Sequence, residues 1–114
     1  MKTKKELRQE FNQIKVRAGV FQIRNTVNDK IYVEGSVNLD KIWNRHLVEL
    51  RFGNHRNTTL QAEWKQYGEE AFRFEILSEI REPEDSRVDL QKESRKLAAM
   101  FIEELQPFGE RGYH

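Results

Sequence analysis

The chain has 114 residues, 37% of them apolar, a net charge of +1 and twelve aromatic residues, which suits one domain with a modest core and excludes extended disorder. Cysteine is absent, which excludes disulfide staples, thiolate zinc sites and cysteine nucleophiles. No apolar run approaches the roughly 18 residues of a membrane span, and Met1-Lys2-Thr3-Lys4-Lys5-Glu6 opens no secretory signal, so a cytoplasmic protein without membrane partners is expected. The charge is unevenly spread: residues 1–57 hold 12 Lys/Arg against 6 Asp/Glu, and residues 58–114 hold 8 against 13. A basic first half favours phosphate-rich partners unless folding mixes the halves.

Thr3 and Glu6 form a capping-box pattern, and Leu7, Phe11 and Ile14 recur at helical spacing, so residues 4–15 read as an amphipathic helix within an extension covering 1–17. Residues 18–25 and 30–34 alternate apolar and polar side chains around an Asn28-Asp29 turn, a β-hairpin. Asn38 then caps a helix whose stripe is Leu39, Ile42, Trp43, His46, Leu47 and Leu50, closed by Gly53. Thr58 and Gln61 suggest a second capping box, ahead of a helix lined by Leu60, Trp64 and Tyr67 and ended by Gly68. Phe72, Phe74 and Ile76 mark a third strand over 72–78 that could join either edge of the hairpin. After a Pro83–Ser86 loop, Leu90, Leu97, Phe101 and Leu105 mark a last helix, and 107–114 reads as an irregular tail. The expected fold is α/β in the α+β sense: a small antiparallel three-stranded sheet flanked by helices, with 18–106 as the domain.

Site chemistry is sparse by spacing alone. His46, His55 and His114 are too scattered for a metal site, and no phosphate loop, dinucleotide fingerprint or nucleophile elbow is present. What stands out is aromatic residues on a hairpin, followed by a helix with a histidine on its apolar stripe.

Gly19-Val20-Phe21, with Tyr32-Val33-Glu34 following and then Ser36 to His46, resembles the paired motifs and first helix of the GIY-YIG nuclease superfamily. Echoes of its phage-type homing endonucleases continue through Gly53-Asn54-His55, Leu60-Gln61, Tyr67-Gly68 and Phe72, so the resemblance covers about residues 18–106. It implies phosphodiester cleavage by two tyrosines, a helix arginine, a histidine one turn later and a glutamate that holds a divalent metal. Carried over by position, Tyr32 and His46 are kept as catalytic remnants. The other family positions are altered: Phe21 lacks the tyrosine hydroxyl, Glu34 replaces a glycine and should repel phosphate, Ile42 replaces the arginine, and Ala98 replaces the metal glutamate. His46 reads equally as a satisfied core histidine, and Phe21 and Ile42 as packing.

The resemblance thus implies a catalytically impaired domain with weak, non-specific nucleic-acid binding through Lys41, Arg45, His55 and Arg56, and no cofactor. Two alternatives stay open. One is an active endonuclease with relocated groups, using Mg²⁺ or Mn²⁺. The other is a protein-interaction domain with no nucleic-acid role, whose protein partner the sequence does not indicate.

Overall fold

A computed structural model describes residues 17–80 and 89–114. The helix expected over 4–15 and the loop at Pro83–Ser86 lie outside the described residues. Three strands, β1 (Ala18–Asn25), β2 (Ile31–Ser36) and β3 (Phe72–Ile80), form one antiparallel sheet in the order β2-β1-β3. Three helices accompany it: α1 (Leu39–Phe52), α2 (Thr58–Tyr67) and α3 (Leu90–Leu105). The third strand joins the hairpin at its β1 edge, which makes β1 central. The register between β1 and β3 shifts at Val20/Phe21, a bulge on the sheet.

Because β1 is central, both of its faces are covered. Phe21 and Ile23, each 0% exposed, point to one side with Tyr32, where Leu39 and Leu50 of α1 and Leu60 and Trp64 of α2 complete the main core. Ile42, Trp43 and Leu47 pack against that cluster while keeping some exposure, and Trp43 stacks on Phe74 with centroids 4.6 Å apart. Val20 and Val33 point to the other side, onto Ala98, Leu97, Phe101 and Ile102 of α3. The sheet is therefore the middle of three layers.

The helix ends follow local chemistry. Asn38 accepts from the Lys41 amide at the start of α1, and Gly53 ends it in the left-handed region at φ 79°. At α2 the expected capping box is corrected: Asn57 is the cap, accepting from the Leu60 amide at 3.0 Å. Gln61 instead turns inward, accepting from the His55 amide and donating to the Leu50 carbonyl, both at 3.0 Å. Asp89 caps α3 by accepting from the Gln91 and Lys92 amides.

Residues 107–114 are irregular apart from a short 3-10 turn at Gly109–Arg111, but they are packed. Pro107 and Tyr113 are buried, Gly112 bridges Ile31 in parallel, and the Tyr113 amide donates to the Ile31 carbonyl at 3.0 Å. The packed unit thus runs to residue 114. Among the described residues no helix is long and apolar enough to cross a membrane.

Candidate active site

A cleft of about 600 Å³ opens where the C-terminal half of β2, α1 and α3 meet. Its floor and walls include Glu34, Gly35, Ile42, Arg45, Arg56 and Ala98. The width of this cleft is set by Gly35: a Cβ there would stand 2.3 Å from the Ser94 carbonyl oxygen, so only glycine lets α3 come this close to β2. The glycine one place beyond Glu34 thus does the packing work that close approach requires.

Behind one wall runs a hydrogen-bonded chain that reaches the cleft through Glu34. His46, 1% exposed, sits on α1 with Nε2 at 2.6 Å from Glu34 Oε2 and Nδ1 at 2.7 Å from His55 Nε2. The Asn57 amide donates to His55 Nδ1 at 3.0 Å, and the Tyr32 hydroxyl reaches Glu34 Oε1 at 3.4 Å. Donor and acceptor roles follow from the Asn57 amide. His55 Nδ1 must be bare, so its proton is on Nε2 and points at His46; His46 therefore carries its proton on Nε2 and gives it to Glu34.

The electrostatics agree with this chain. Burial pushes the Glu34 carboxyl up, but the hydrogen bond from His46, helped by Arg56 and by the Tyr32 hydroxyl, outweighs it and holds the group below its ordinary 4.5. Burial, with Glu34 nearby, pushes the Tyr32 hydroxyl up to about 12, which keeps it protonated and a donor at neutral pH. Burial, with His46 nearby, lowers His55 below 6.5.

Two expectations change. His55, expected to face nucleic acid, is 5% exposed with both ring nitrogens engaged inside the chain, so it belongs to the chain behind Glu34. Glu34, expected as a carboxylate that repels phosphate, is a structural partner of His46 and Tyr32. The remaining residues fall as follows. Phe21 is fully buried with its ring edge toward His46, centroids 5.6 Å apart, so it brings no polar group to the cleft. Arg45 lines the cleft and pairs with Glu49 at 3.0 Å, and Arg56 lines it too. Lys41 is exposed on α1 and does not line it.

Sequence reasoning missed Arg95, Asn57 and His114. Arg95 lines the cleft one turn before Ala98, a spacing that could have revealed it. Asn57 precedes Thr58 and is the better cap type. His114 stacks on Tyr32, centroids 5.1 Å apart and planes 8° from parallel, and its Nε2 accepts from the Val33 amide at 2.8 Å. No local signal announces that contact across 81 residues.

Cation sites were tested on the donor sets. His46, Glu49 and His55 bring ligand atoms within 4.8 Å of one another. A cation there would need the lone pair of His55 Nε2, which moves the proton to Nδ1, opposite the Asn57 amide. In the cleft itself, among the described residues, Glu34 is the one carboxylate, and its two oxygens already accept from His46 and Tyr32. These residues do not fit the divalent metal that the family resemblance implies.

The chain matches no family model. An intron-associated endonuclease 1 of Enterobacteria phage T4 is 37% identical over 65 residues, 57% of this chain, and the chain spans about a quarter (26%) of that relative. The fold superposes on a point-mutant form of the catalytic domain of intron endonuclease I-TevI with a TM-score of 0.70 and 32% identity, covering 86% of this chain and 92% of that one. A second structure of the catalytic domain of homing endonuclease I-TevI gives 0.68 and 31%, over 84% and 95%. At about a third identity over nearly the whole of that catalytic domain, with the same fold, the chain belongs to the GIY-YIG nuclease superfamily, as a domain of the homing-endonuclease type.

Proposed function

We propose that this domain binds the nucleic-acid backbone weakly and without sequence preference, and that its hydrolytic step is impaired. The observation that carries the reading is the pairing of Ile42 and Ala98 on the two sides of one cleft, beside Tyr32, Glu34 and His46. Cleavage needs positive charge on the phosphate and a group at the leaving oxygen. An isoleucine side chain offers no charge, and an alanine methyl binds no metal. Tyr32 remains as a donor, and the histidine chain remains intact, but the latter ends on a carboxylate facing the cleft. Arg45 and Arg56 supply phosphate contacts, which position a strand without reading its bases.

The test is incubation of the pure chain with labelled single-stranded, duplex and branched DNA, with and without Mg²⁺ or Mn²⁺. Retarded but uncut DNA is expected, with dissociation constants of roughly 10⁻⁴–10⁻⁶ M that weaken as salt rises. Robust turnover lost in Tyr32→Phe and His46→Ala would overturn impairment. No retardation at low salt would overturn nucleic-acid binding and favour a protein-interaction domain.

One observation favours the active alternative: Glu34 presents a carboxylate to the cleft with His46 and His55 behind it, the order of groups in an acid–base relay. That reading requires cleavage in EDTA that Glu34→Gln abolishes.

A further inference from the structure

The α3 wall of the cleft is a continuous helix face. Gln91, Ser94, Arg95, Ala98, Ala99 and Ile102 all line it, at spacings of three, four, seven, eight and eleven from the first. Ser94 fixes this face against β2, because its carbonyl lies over Gly35. Arg95 is therefore presented to the cleft by a helix packed closely on the sheet. Ile42 stands on the other wall, from α1.

The charge of the lining is lopsided. Three guanidiniums, Arg45, Arg56 and Arg95, face one carboxylate, Glu34, whose oxygens are already occupied by His46 and Tyr32. Arg45 is tied to Glu49, whereas Arg56 and Arg95 make no ion pair among the described residues. A guanidinium is also the group that holds two phosphate oxygens at once. The donor set rejects a cation and suits an anion.

We propose that the cleft is an anion site in which Arg95, from α3, grips a backbone phosphodiester of nucleic acid without a divalent cation, supplying from the opposite wall the positive charge that Ile42 lacks. Arg56 and Arg45 complete the grip from the α1 side. The polarity of the site is thereby exchanged across the cleft: the carboxylate stands on the β2 wall, and a guanidinium stands on the helix where the resemblance places a carboxylate. This rests on the reading that the domain binds nucleic acid.

The test is fluorescence anisotropy of a labelled single-stranded DNA titrated with the intact chain in EDTA, at several KCl concentrations, and again with Mg²⁺ at matched ionic strength. Binding in EDTA that Mg²⁺ does not improve is expected. Arg95→Ala should weaken it about tenfold and flatten the salt slope by about one. Arg95→Lys should fall between, and Lys41→Ala, outside the cleft, should cost less than Arg95→Ala. Thermal melts of the variants should match the parent, since these side chains are exposed. Binding by the parent that Arg95→Ala leaves unchanged, or binding that needs Mg²⁺, overturns the anion site while nucleic-acid binding stands. Absence of any binding at low salt overturns both.

Discussion

The two walls of the cleft are built on opposite principles. On the β2–α1 side, Tyr32, Glu34, His46 and His55 are held by hydrogen bonds that fix one another's protons, anchored by a backbone amide. On the α3 side, Ala98 and Ile102 are small or apolar, and Arg95 is exposed. One wall is over-determined and intolerant of change; the other is a scaffold on which charge can be swapped. Buried polar networks gain value only when every member is satisfied, so loss of function on the first wall is expensive in stability. On the second, an acidic ligand can become alanine at little structural cost.

Five experiments bear on the asymmetry, in order of expected effect. Phe21→Ala, which empties a fully buried site beneath His46, should cost about 3–5 kcal/mol, read by urea denaturation. Trp43→Ala should cost less than Phe21→Ala, because Trp43 keeps partial exposure. His46→Ala should cost about 1–3 kcal/mol beyond its volume, since Glu34 and His55 lose their shared partner; an unchanged midpoint would mean the polar wall is not a unit.

The fourth experiment is a pH series. His55 and His114 sit below their ordinary 6.5, in each case chiefly because burial penalises the charged form. The unfolded chain therefore takes up protons first as pH falls through about 6.5, and stability present above that value should drain away toward pH 5. Glu34, held below 4.5, adds a further loss only at lower pH, as the carboxylate is protonated. His55→Asn should flatten the first part of the melting-temperature profile. The smallest effect is expected at Arg45→Ala: an exposed pair with Glu49 contributes under about 1 kcal/mol, so affinity for DNA should change while the melt does not.

Much of the fold was legible in local pattern. The alternation of Phe21 and Ile23 marked β1, and the Leu39–Leu50 stripe with Asn38 and Gly53 at its ends marked α1, because both periodicities follow directly from burial on one face. Ile42 and Ala98 could be placed in the site by counting along the resemblance. The polar wall was not legible. His55 read as a surface residue because nothing nearby in the chain reveals that Asn57 and Gln61 bend that loop inward onto α1. Glu34 read as a repulsive charge because its compensation, His46, lies 12 residues on and across an element boundary. Arg95 was not legible because the resemblance marks its helix only at Ala98, one turn further on.

The docking of residues 107–114 has a kinetic consequence. The Val33 amide, next to Tyr32, is satisfied by a ring nitrogen 81 residues away, and Asn25 meets the Tyr113 hydroxyl across 88. Contacts of such sequence separation form late, since loop-closure entropy must be met before they give anything back. The hairpin and α1 can therefore close before the tail reaches β2. In a quenched-flow hydrogen-exchange experiment the Ile23 and Asn25 amides, which face β2, should gain protection ahead of Val33 and Tyr113, and Tyr32 should acquire its stacking partner last.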